Sequence, residues 1–452
     1  MNRTKLFGTD GIRGRVNVYP MTIEVCRKVA RAIHRRFLAE KNGEDGRPYT
    51  IAIARDPRIS GLMFDNALTA EFCAMGYIVY NMEEISTPCL ARTTKSNDEI
   101  DLGIMISASH NPYYDNGIKL FNSNGEKFTR EEEQQIEEYI ANDDGEDFYV
   151  TDDKIWRCSC KRGEVVDVYW EALDTYFDNL FNKIAKGRKS NLKIVSDEAN
   201  GSCSEMCIFF LVDYNFKLIR TNCDFGDTNI NDKCGATYPK SLKRKVILKE
   251  ADFGMAFDGD GDRVILCDEK GNILDGDDIL AILSLEGEHK AVVSTVMANL
   301  GLEKYLNSRG IELIRTDVGD RNVWDRMKRD GIHLGGEPAG HIIVSDWLSS
   351  GDGFFVALKV LEIMLKHGKK LSEMHLFEHL PSVSKNVKVA DKTVLDQPNI
   401  QQRIASLQKQ NDIRLVVRAS GTEPVIRILV EGEDQEKIQQ IADEISELIE
   451  KC

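Results

Sequence analysis

The chain has 452 residues, of which 42% are hydrophobic, and this length predicts three or four globular domains rather than one. Its formal net charge of −15 argues against a nucleic-acid partner, although a locally basic cleft can still bind an anionic small molecule. No run of 18 apolar residues and no apolar signal segment is present, and the 11 cysteines form no framework. We therefore expect a cytoplasmic protein with reduced thiols and no membrane partner.

Strand-like and helix-like segments alternate in the first part of the chain. Residues 49–54 are predicted as a strand, 62–75 as a helix and 77–80 as a second strand, and the apolar run Leu102–Ile106 predicts a buried strand. The acidic stretch 131–164 predicts irregular structure that ends one domain and connects it to the next.

A serine-containing loop follows the strand predicted at Leu102–Ile106. Because His110, Asn111 and Pro112 come directly after Ser109, we expect a tight turn that exposes the Ser109 hydroxyl. A loop serine by itself is usually a turn residue that caps nearby amides. Here His110 and Lys119 add ionisable groups, and a phosphorylated Ser109 would carry nearly two negative charges that need cations nearby.

The alternating pattern restarts twice and then changes. Strands are predicted at 192–195, 216–219 and Phe253–Phe257, and again at 291–296, 311–314 and 332–334. In each unit an unusual loop follows the carboxyl end of a strand, where open α/β sheets place their ligands. The tail, with strands at 415–417 and 425–430 and an apolar helix face after residue 437, predicts a small α+β domain.

Three aspartates spaced two residues apart form the second of these loops. Asp258, Asp260 and Asp262 alternate with glycines, and oxygen-only ligands suit Mg²⁺ or Ca²⁺. An EF-hand would also fit in part, since Glu269 stands at loop position 12, but position 6 is Arg263 where that fold needs glycine. The pattern is also compatible with a phosphatase that uses Asp258 as nucleophile, or with a plain acidic turn.

A loop in the tail offers the groups of a phosphate-binding site. Arg418 supplies a guanidinium, Ser420 and Thr422 supply hydroxyls, and Gly421 loosens the backbone amides. Arg427 adds a second guanidinium from the next strand. The alternative is a hairpin with solvent-exposed arginines.

Taken in order, several runs resemble the α-D-phosphohexomutase superfamily over essentially the whole chain. These runs lie at residues 7–14, 106–119, 230–237, 256–264 and 351–353. The resemblance implies an α/β protein in which three related α/β domains and a smaller C-terminal α+β domain surround a central cleft. The implied domains are residues 1–163, 164–272, 273–378 and 379–452, carrying in turn the phosphoserine, metal, sugar and phosphate loops.

The resemblance also implies a role for each motif. Ser109 matches the family's phosphoserine, and Asp258, Asp260 and Asp262 match the ligands of one Mg²⁺ per chain, with the phosphate on Ser109 completing the shell. The sugar-binding loop is matched by Glu337, Ala339 and His341. The phosphate-binding loop and its surroundings are matched by Arg418, Ser420, Gly421, Thr422 and Arg427. The groups implied in proton transfer, phosphate contact or charge neutralisation are Lys119, Arg13, His110, His341 and Arg263.

The implied reaction is the interconversion of glucosamine 6-phosphate and glucosamine 1-phosphate, small-molecule sugar phosphates, through glucosamine 1,6-bisphosphate. The run 230–237 favours glucosamine, but Pro338 and Ala339 depart from the usual sugar loop and remove an amide donor and a hydroxyl. Glucose or mannose phosphates are therefore alternatives, as is a non-catalytic sugar-phosphate sensor, which need not keep both Ser109 and the aspartates. The resemblance is compatible with a monomer or a homodimer.

Overall fold

The computed structural model describes residues 5–40, 47–143, 148–156, 158–187, 192–204, 211–212, 214, 216–410, 412–420 and 424–451. These residues form four sheets, which define four consecutive units of the chain. Within them, no helix has the length and apolar character needed to cross a membrane.

The first unit contains a six-stranded sheet. Its elements are β1 (Ile12–Arg15), α1 (Ile23–Glu40), β2 (Thr50–Arg55), α2 (Gly61–Ala74), β3 (Ile78–Glu84), α3 (Thr87–Ser96), β4 (Leu102–Ile106), β5 (Asp115–Asn122), α4 (Arg130–Ala141) and β6 (Cys158–Cys160). The sheet order is β1-β5-β4-β2-β3-β6, and the inner strands β2 and β4 are buried along their whole length.

The second and third units repeat this plan. The second consists of α5 (Arg162–Gly187), β7 (Lys193–Asp197), β8 (Lys217–Thr221), α6 (Lys240–Lys249), β9 (Phe253–Phe257), β10 (Val264–Asp268) and β11 (Ile273–Leu274). The third consists of α7 (Gly276–Leu283), β12 (Ala291–Thr295), α8 (Leu300–Ser308), β13 (Glu312–Thr316), α9 (Asp320–Asp330), β14 (Leu334–Gly336), β15 (Ile342–Val344) and α10 (Gly353–His367).

The fourth unit is smaller, with an antiparallel sheet ordered β16-β18-β17. Its elements are β16 (Ser382–Lys388), α11 (Pro398–Leu407), β17 (Ile413–Ala419), β18 (Val425–Gly432) and α12 (Gln435–Glu450). The apolar face predicted for the last helix is buried at Ile438, Ile441, Ile445 and Ile449. Short 3-10 turns lie at Asp152–Lys154, Ser202–Ser204, Leu371–Glu373 and Lys392–Asp396.

One strand arrangement recurs in the first three sheets: β5-β4-β2-β3, β10-β9-β7-β8 and β15-β14-β12-β13. In each, a strand that is parallel to its inner neighbour leads through a loop into an antiparallel strand at its other side. The three α/β units predicted from the sequence are therefore related by topology, and their functional loops occupy equivalent positions. Strand β11, at residues 273–274, pairs with the second sheet.

The prediction that residues 131–164 are irregular is wrong for its first part. Helix α4 occupies Arg130–Ala141 and begins with a capping box, in which the Thr129 side chain accepts from the Glu132 amide and the Glu132 carboxylate accepts from the Thr129 amide. Ile136 on its inner face is fully buried in the first unit's core. The acidic composition of this stretch hid the helix in the sequence.

An aromatic cluster packs between the first three units and connects them. Trp347 stacks on Phe355 with 4.6 Å between the ring centroids, and the guanidinium of Arg92, from α3, lies 4.5 Å from the Trp347 ring. The Asp352 carboxylate accepts hydrogen bonds from the Tyr169 hydroxyl at 2.9 Å and from Trp347 Nε1 at 2.8 Å. Since these residues come from three units, the cluster sets how the sheets face one another.

Candidate active site

The three equivalent loops of the first three units meet in one place. The Ser109 hydroxyl, after β4, donates to Asp258 Oδ2, after β9, at 2.6 Å. The amide of Val264, at the start of β10, donates to the Gly340 carbonyl of the third loop at 3.0 Å. These contacts bring together the serine, aspartate and sugar loops that the sequence analysis singled out separately.

Ser109 adopts a left-handed conformation with φ of 53° and is fully buried. The expectation of an exposed hydroxyl is wrong, because the aspartate loop of the second unit covers it. Its Oγ also lies 3.3 Å from His110 Nδ1. The hydroxyl is thus placed between a carboxylate and an imidazole.

The serine loop is held through its carbonyl groups. Arg58 donates to the Ser109 carbonyl at 2.8 Å and to the Asn111 carbonyl at 2.9 Å. Asn231, from the second unit, donates to the same two carbonyls at 2.9 and 3.2 Å. Sequence reasoning missed both residues, although Asn231 stands inside the run 230–237 on which the resemblance rests.

A buried carboxylate supports the same loop from beneath. Ser107 Oγ accepts from the Ser109 amide at 2.8 Å and donates to Asp56 Oδ2 at 2.6 Å. Arg58 Nε is 2.9 Å from Asp56 Oδ2, which ties the two supports together. The strained backbone at Ser109 is therefore stabilised from within the first unit as well as from the second.

The carboxylates of Asp258, Asp260 and Asp262 are buried, and one oxygen from each lies within 4.8 Å of the others. Burial, followed by repulsion from Asp262 and Asp260, raises the pKa of Asp258 well above its usual value. Asp260 Oδ1 and Asp262 Oδ1 accept no hydrogen bond from the described part of the chain. Buried, clustered carboxylates that include these two oxygens fit Mg²⁺, and the flanking strands β9 and β10 exclude an EF-hand.

Lys119 provides a buried cation beside these carboxylates. Its Nζ lies 2.7 Å from Asp260 Oδ2, 3.2 Å from Asp262 Oδ2 and 3.0 Å from Asp10 Oδ2, and its side chain is 1% exposed. Burial lowers the Lys119 pKa, but Asp10, Asp260 and Asp262 together raise it well above the usual value. Lys119 is therefore a fixed positive charge, and Asp10 is a partner that the sequence alone did not reveal.

Two arginines and a neutral histidine lie beside these groups. Arg13, in β1, forms an ion pair with Asp10, and Arg263 donates its amide to Asp258 Oδ1 at 3.2 Å. Burial, with a further contribution from Arg263 and Arg13, lowers the pKa of His110 to about 4. His110 is consequently a neutral imidazole at neutral pH.

The sugar loop lies against the aspartate loop and α7. The Glu337 carboxylate accepts from the Gly319 amide at 3.0 Å, and the Glu337 amide donates to the His341 carbonyl at 2.9 Å. His341 Nδ1 is 3.7 Å from Asp262 Oδ1. Ala339 is exposed at the tip of the loop.

In the fourth unit, Arg418 and Arg427 are direct partners on the paired strands β17 and β18. Burial and the nearby Arg427 lower the pKa of Arg418, whereas Asp317 raises it. Ser420 is buried and donates its amide to the Val425 carbonyl at 2.9 Å. Gly421 and Thr422, predicted in the same loop, lie outside the described residues.

Comparison with known families identifies each unit in turn. Residues 4–147, 174–271 and 275–380 match alpha/beta/alpha domains I, II and III of the phosphoglucomutase/phosphomannomutase family, and residues 385–448 match its C-terminal domain. The fold and the site therefore define a phosphohexomutase, an isomerase-class phosphotransferase, which confirms the resemblance and the predicted α/β fold.

Individual relatives narrow the class of enzyme further. The phosphoglucosamine mutase of Chelativorans sp. (strain BNC1) is 40% identical to this chain, and the match covers 98% of this chain and 97% of the relative. The phosphoglucosamine mutase of Maricaulis maris (strain MCS10) is also 40% identical, with 99% of this chain and 98% of the relative covered. A phosphoglucomutase/phosphomannomutase family protein from Burkholderia thailandensis shares the fold, with a TM-score of 0.79 at 20% identity over 98% of this chain and 97% of its own. This chain belongs to the phosphoglucosamine mutase family.

The close contact between the serine and aspartate loops generates a prediction. A Cβ added at Gly259 would lie 2.7 Å from the Ser109 carbonyl oxygen and 2.8 Å from Asn231 Nδ2. Gly259→Ala should therefore separate the two loops and lower mutase turnover by at least about tenfold, equivalent to about 1.4 kcal/mol of barrier. Gly163→Ala, where a Cβ meets nothing within 4 Å, is the control. Equal activity of the two variants would contradict this interpretation of the contact.

Proposed function

We propose that this chain interconverts glucosamine 6-phosphate and glucosamine 1-phosphate, with Ser109 as the carrier of the transferred phosphoryl group. The observation that supports the carrier role is the 2.6 Å bond between the Ser109 hydroxyl and Asp258, inside a cluster of carboxylates and cations drawn from three units. A buried hydroxyl at such a cluster is suited to phosphoryl transfer, which depends on positioning and charge neutralisation.

In the first half-reaction, the bond between phosphorus and Ser109 Oγ breaks while a bond forms between phosphorus and the free sugar hydroxyl. The sugar hydroxyl gives up its proton, and Ser109 Oγ takes the electron pair of the broken bond together with a proton. His110 is placed to pass a proton towards the serine oxygen, because its Nδ1 lies 3.3 Å from Ser109 Oγ. The product is glucosamine 1,6-bisphosphate, which turns around so that its other phosphate returns to Ser109.

Asp258, Asp260 and Asp262, with a phosphate oxygen on Ser109, would hold one Mg²⁺, which supplies positive charge to the transferring group. The chain's own cations act on the same group. Lys119 is fixed by its three carboxylates, and Arg263 lies at the rim of the triad with a side chain that is 20% exposed. Both are placed to stabilise charge that develops on the phosphoryl oxygens.

Substrate binding is divided between the sugar and phosphate loops. Glu337 and His341, with Ala339 at the tip, would contact the sugar ring, and Arg13 would contact a phosphate near the first loop. Arg418, Ser420 and Arg427, together with Gly421 and Thr422, would hold the phosphate that is not reacting. One phosphate site then serves both orientations of the bisphosphate.

Two alternatives remain from the sequence, namely a mutase for glucose or mannose phosphates and a sugar-phosphate sensor. The experiment is a comparison of turnover on glucosamine, glucose and mannose 6-phosphates by the purified protein. We expect glucosamine 6-phosphate to give the highest kcat/KM. Faster turnover of another sugar would overturn the substrate, and binding without turnover on all three would support the sensor. The predicted domain boundaries, cytoplasmic location and oligomeric state, a monomer or a homodimer, stay predictions.

Replacement of the carrier is the most direct test of the mechanism. Ser109→Ala should abolish turnover and leave the fold intact, because the hydroxyl contributes no apolar packing. Wild-type protein should carry a phosphate on the Ser109 peptide by mass spectrometry, and the variant should carry none. A variant within tenfold of wild-type activity, about 1.4 kcal/mol of barrier, would rule out Ser109 as carrier.

Metal dependence gives a second prediction. Chelation should stop turnover and added Mg²⁺ should restore it, because the triad is a closely packed group of carboxylates. Asp260→Asn should raise the Mg²⁺ concentration needed for half-maximal activity, whereas Asp412→Asn, on an exposed aspartate of the fourth unit, should not. Full activity in excess chelator would show that the triad needs no metal.

The fourth unit is tested by Arg418→Ala. Loss of a charge-assisted contact to phosphate costs about 1.5–3 kcal/mol, or about 10- to 150-fold in kcat/KM. We expect KM to rise and kcat to fall. Glucosamine 1,6-bisphosphate should also be released into solution, because Arg418 no longer binds its phosphate while the intermediate reorients. Arg403→Ala, on a half-exposed surface arginine paired with Glu444, is the control. Unchanged kinetics without released bisphosphate would exclude Arg418 from the site.

A further inference from the structure

A chain of alternating charges runs from the aspartate triad to the contact between the first and third units. Asp262 pairs with Lys119 at 3.2 Å, Lys119 pairs with Asp10 at 3.0 Å, and Lys127 then contacts both Asp10 and Asp320. None of these five side chains is more than 14% exposed. In so buried a position, each charge depends on its neighbours for compensation.

Lys127 is the member of this chain that joins units. It follows β5 in the first unit, whereas Asp320 is the first residue of α9 in the third. The Lys127 ammonium is shared, with Asp10 Oδ1 on one side and Asp320 Oδ2 on the other. It therefore separates two buried carboxylates that would otherwise face each other across the contact between these units.

Asp10 divides its two oxygens between two lysines. Oδ1 accepts from Lys127, and Oδ2 lies 3.0 Å from Lys119 Nζ and also pairs with Arg13. The same Lys119 Nζ lies 2.7 Å from Asp260 Oδ2. Any increase in the unpaired charge on Asp10 strengthens its attraction for Lys119 and draws that ammonium away from the triad.

We propose that Lys127 is a positioning residue for phosphoryl transfer: it neutralises Asp10 and Asp320 and so keeps Lys119 directed at the triad and the reacting phosphate. This inference rests on the proposed function, since it assigns the purpose of Lys119's placement. Lys127 acts through Asp10 and Lys119 without touching the substrate. In the third unit, the positive charge of Lys127 compensates the Asp320 carboxylate.

The test compares Lys127→Met, Lys127→Arg and the double variant Lys127→Met with Asp320→Asn. Lys127→Met leaves Asp10 and Asp320 without their shared cation, and should lower kcat about tenfold or more, since misplacement of a catalytic group by about 1 Å can cost about 100-fold. The double variant removes one positive and one negative charge, so the local net charge is restored. It should recover much of the lost kcat, because Asp320 no longer adds its charge to that of the unpaired Asp10, and Lys127→Arg should keep a kcat near that of wild type.

A neighbouring ion pair supplies the matched control. Glu133 and Arg321 form a buried pair between the same two units, one residue along α9 from Asp320. Glu133→Gln should lower the melting temperature, as loss of a contact between units does, and leave kcat within about twofold of wild type. A role limited to holding the units together would instead lower the melting temperature of Lys127→Met, as in Glu133→Gln, and leave its kcat within about twofold of wild type.

The outcomes separate this inference from the proposed function. Wild-type protein that fails to turn over any of the three sugar phosphates would overturn the proposed function, and the inference with it. Active wild-type protein with Lys127→Met within twofold in kcat, or with a double variant no faster than the single one, would overturn the inference alone. If Lys127→Met does not fold, the kcat values of the double variant and of Lys127→Arg are compared with that of Glu133→Gln. A double variant with a kcat far below that of Glu133→Gln would contradict charge compensation.

Discussion

The rest of the site depends on the compensation of carboxylates that are buried together. Asp258, Asp260 and Asp262 lie within reach of one another in the interior, and moving a carboxylate from water into such a place costs several kcal/mol. Lys119 offsets part of this cost for two of them, and the position of Lys119 is in turn set by Asp10. The remaining negative charge creates the demand for a divalent cation. In the proposed phosphoryl transfer, the same arrangement would stabilise the transferring group, which adds negative charge where cations already converge.

The fold supplies this arrangement by repeating one topology. In each of the first three units a parallel strand runs into a loop and returns as an antiparallel neighbour, and each loop has a different chemistry. The first carries a hydroxyl, the second carboxylates, and the third Glu337 and His341. Because the loops stand at equivalent positions of similar sheets, docking the sheets against one another is enough to bring the loops together. The fourth unit, built on another plan, attaches to the third through bonds such as Arg414 to the Ala298 carbonyl.

Local patterns in the sequence were sufficient to predict much of this. The strands Leu102–Ile106 and Phe253–Phe257 were predicted at their observed bounds, because both are continuous apolar runs that end at turn residues. The grouping of Ser109 with the triad was implied by the family resemblance, and in the structure the Ser109 hydroxyl contacts Asp258. What escaped prediction was set by tertiary contacts. The burial of Ser109 requires the second unit to cover it, and Asp10 and Arg58 gain their partners only when distant segments meet.

The serine and its carboxylate partner are separated by 149 positions in the chain, which has a consequence for synthesis. At about 5–20 residues per second, Ser109 is incorporated roughly 7 to 30 s before Asp258. During that interval the left-handed turn at Ser109 has only the contacts of its own unit, chiefly Arg58 and Asp56 through Ser107. Because these contacts lie within the first unit, the shape of the loop does not have to await the synthesis of Asp258.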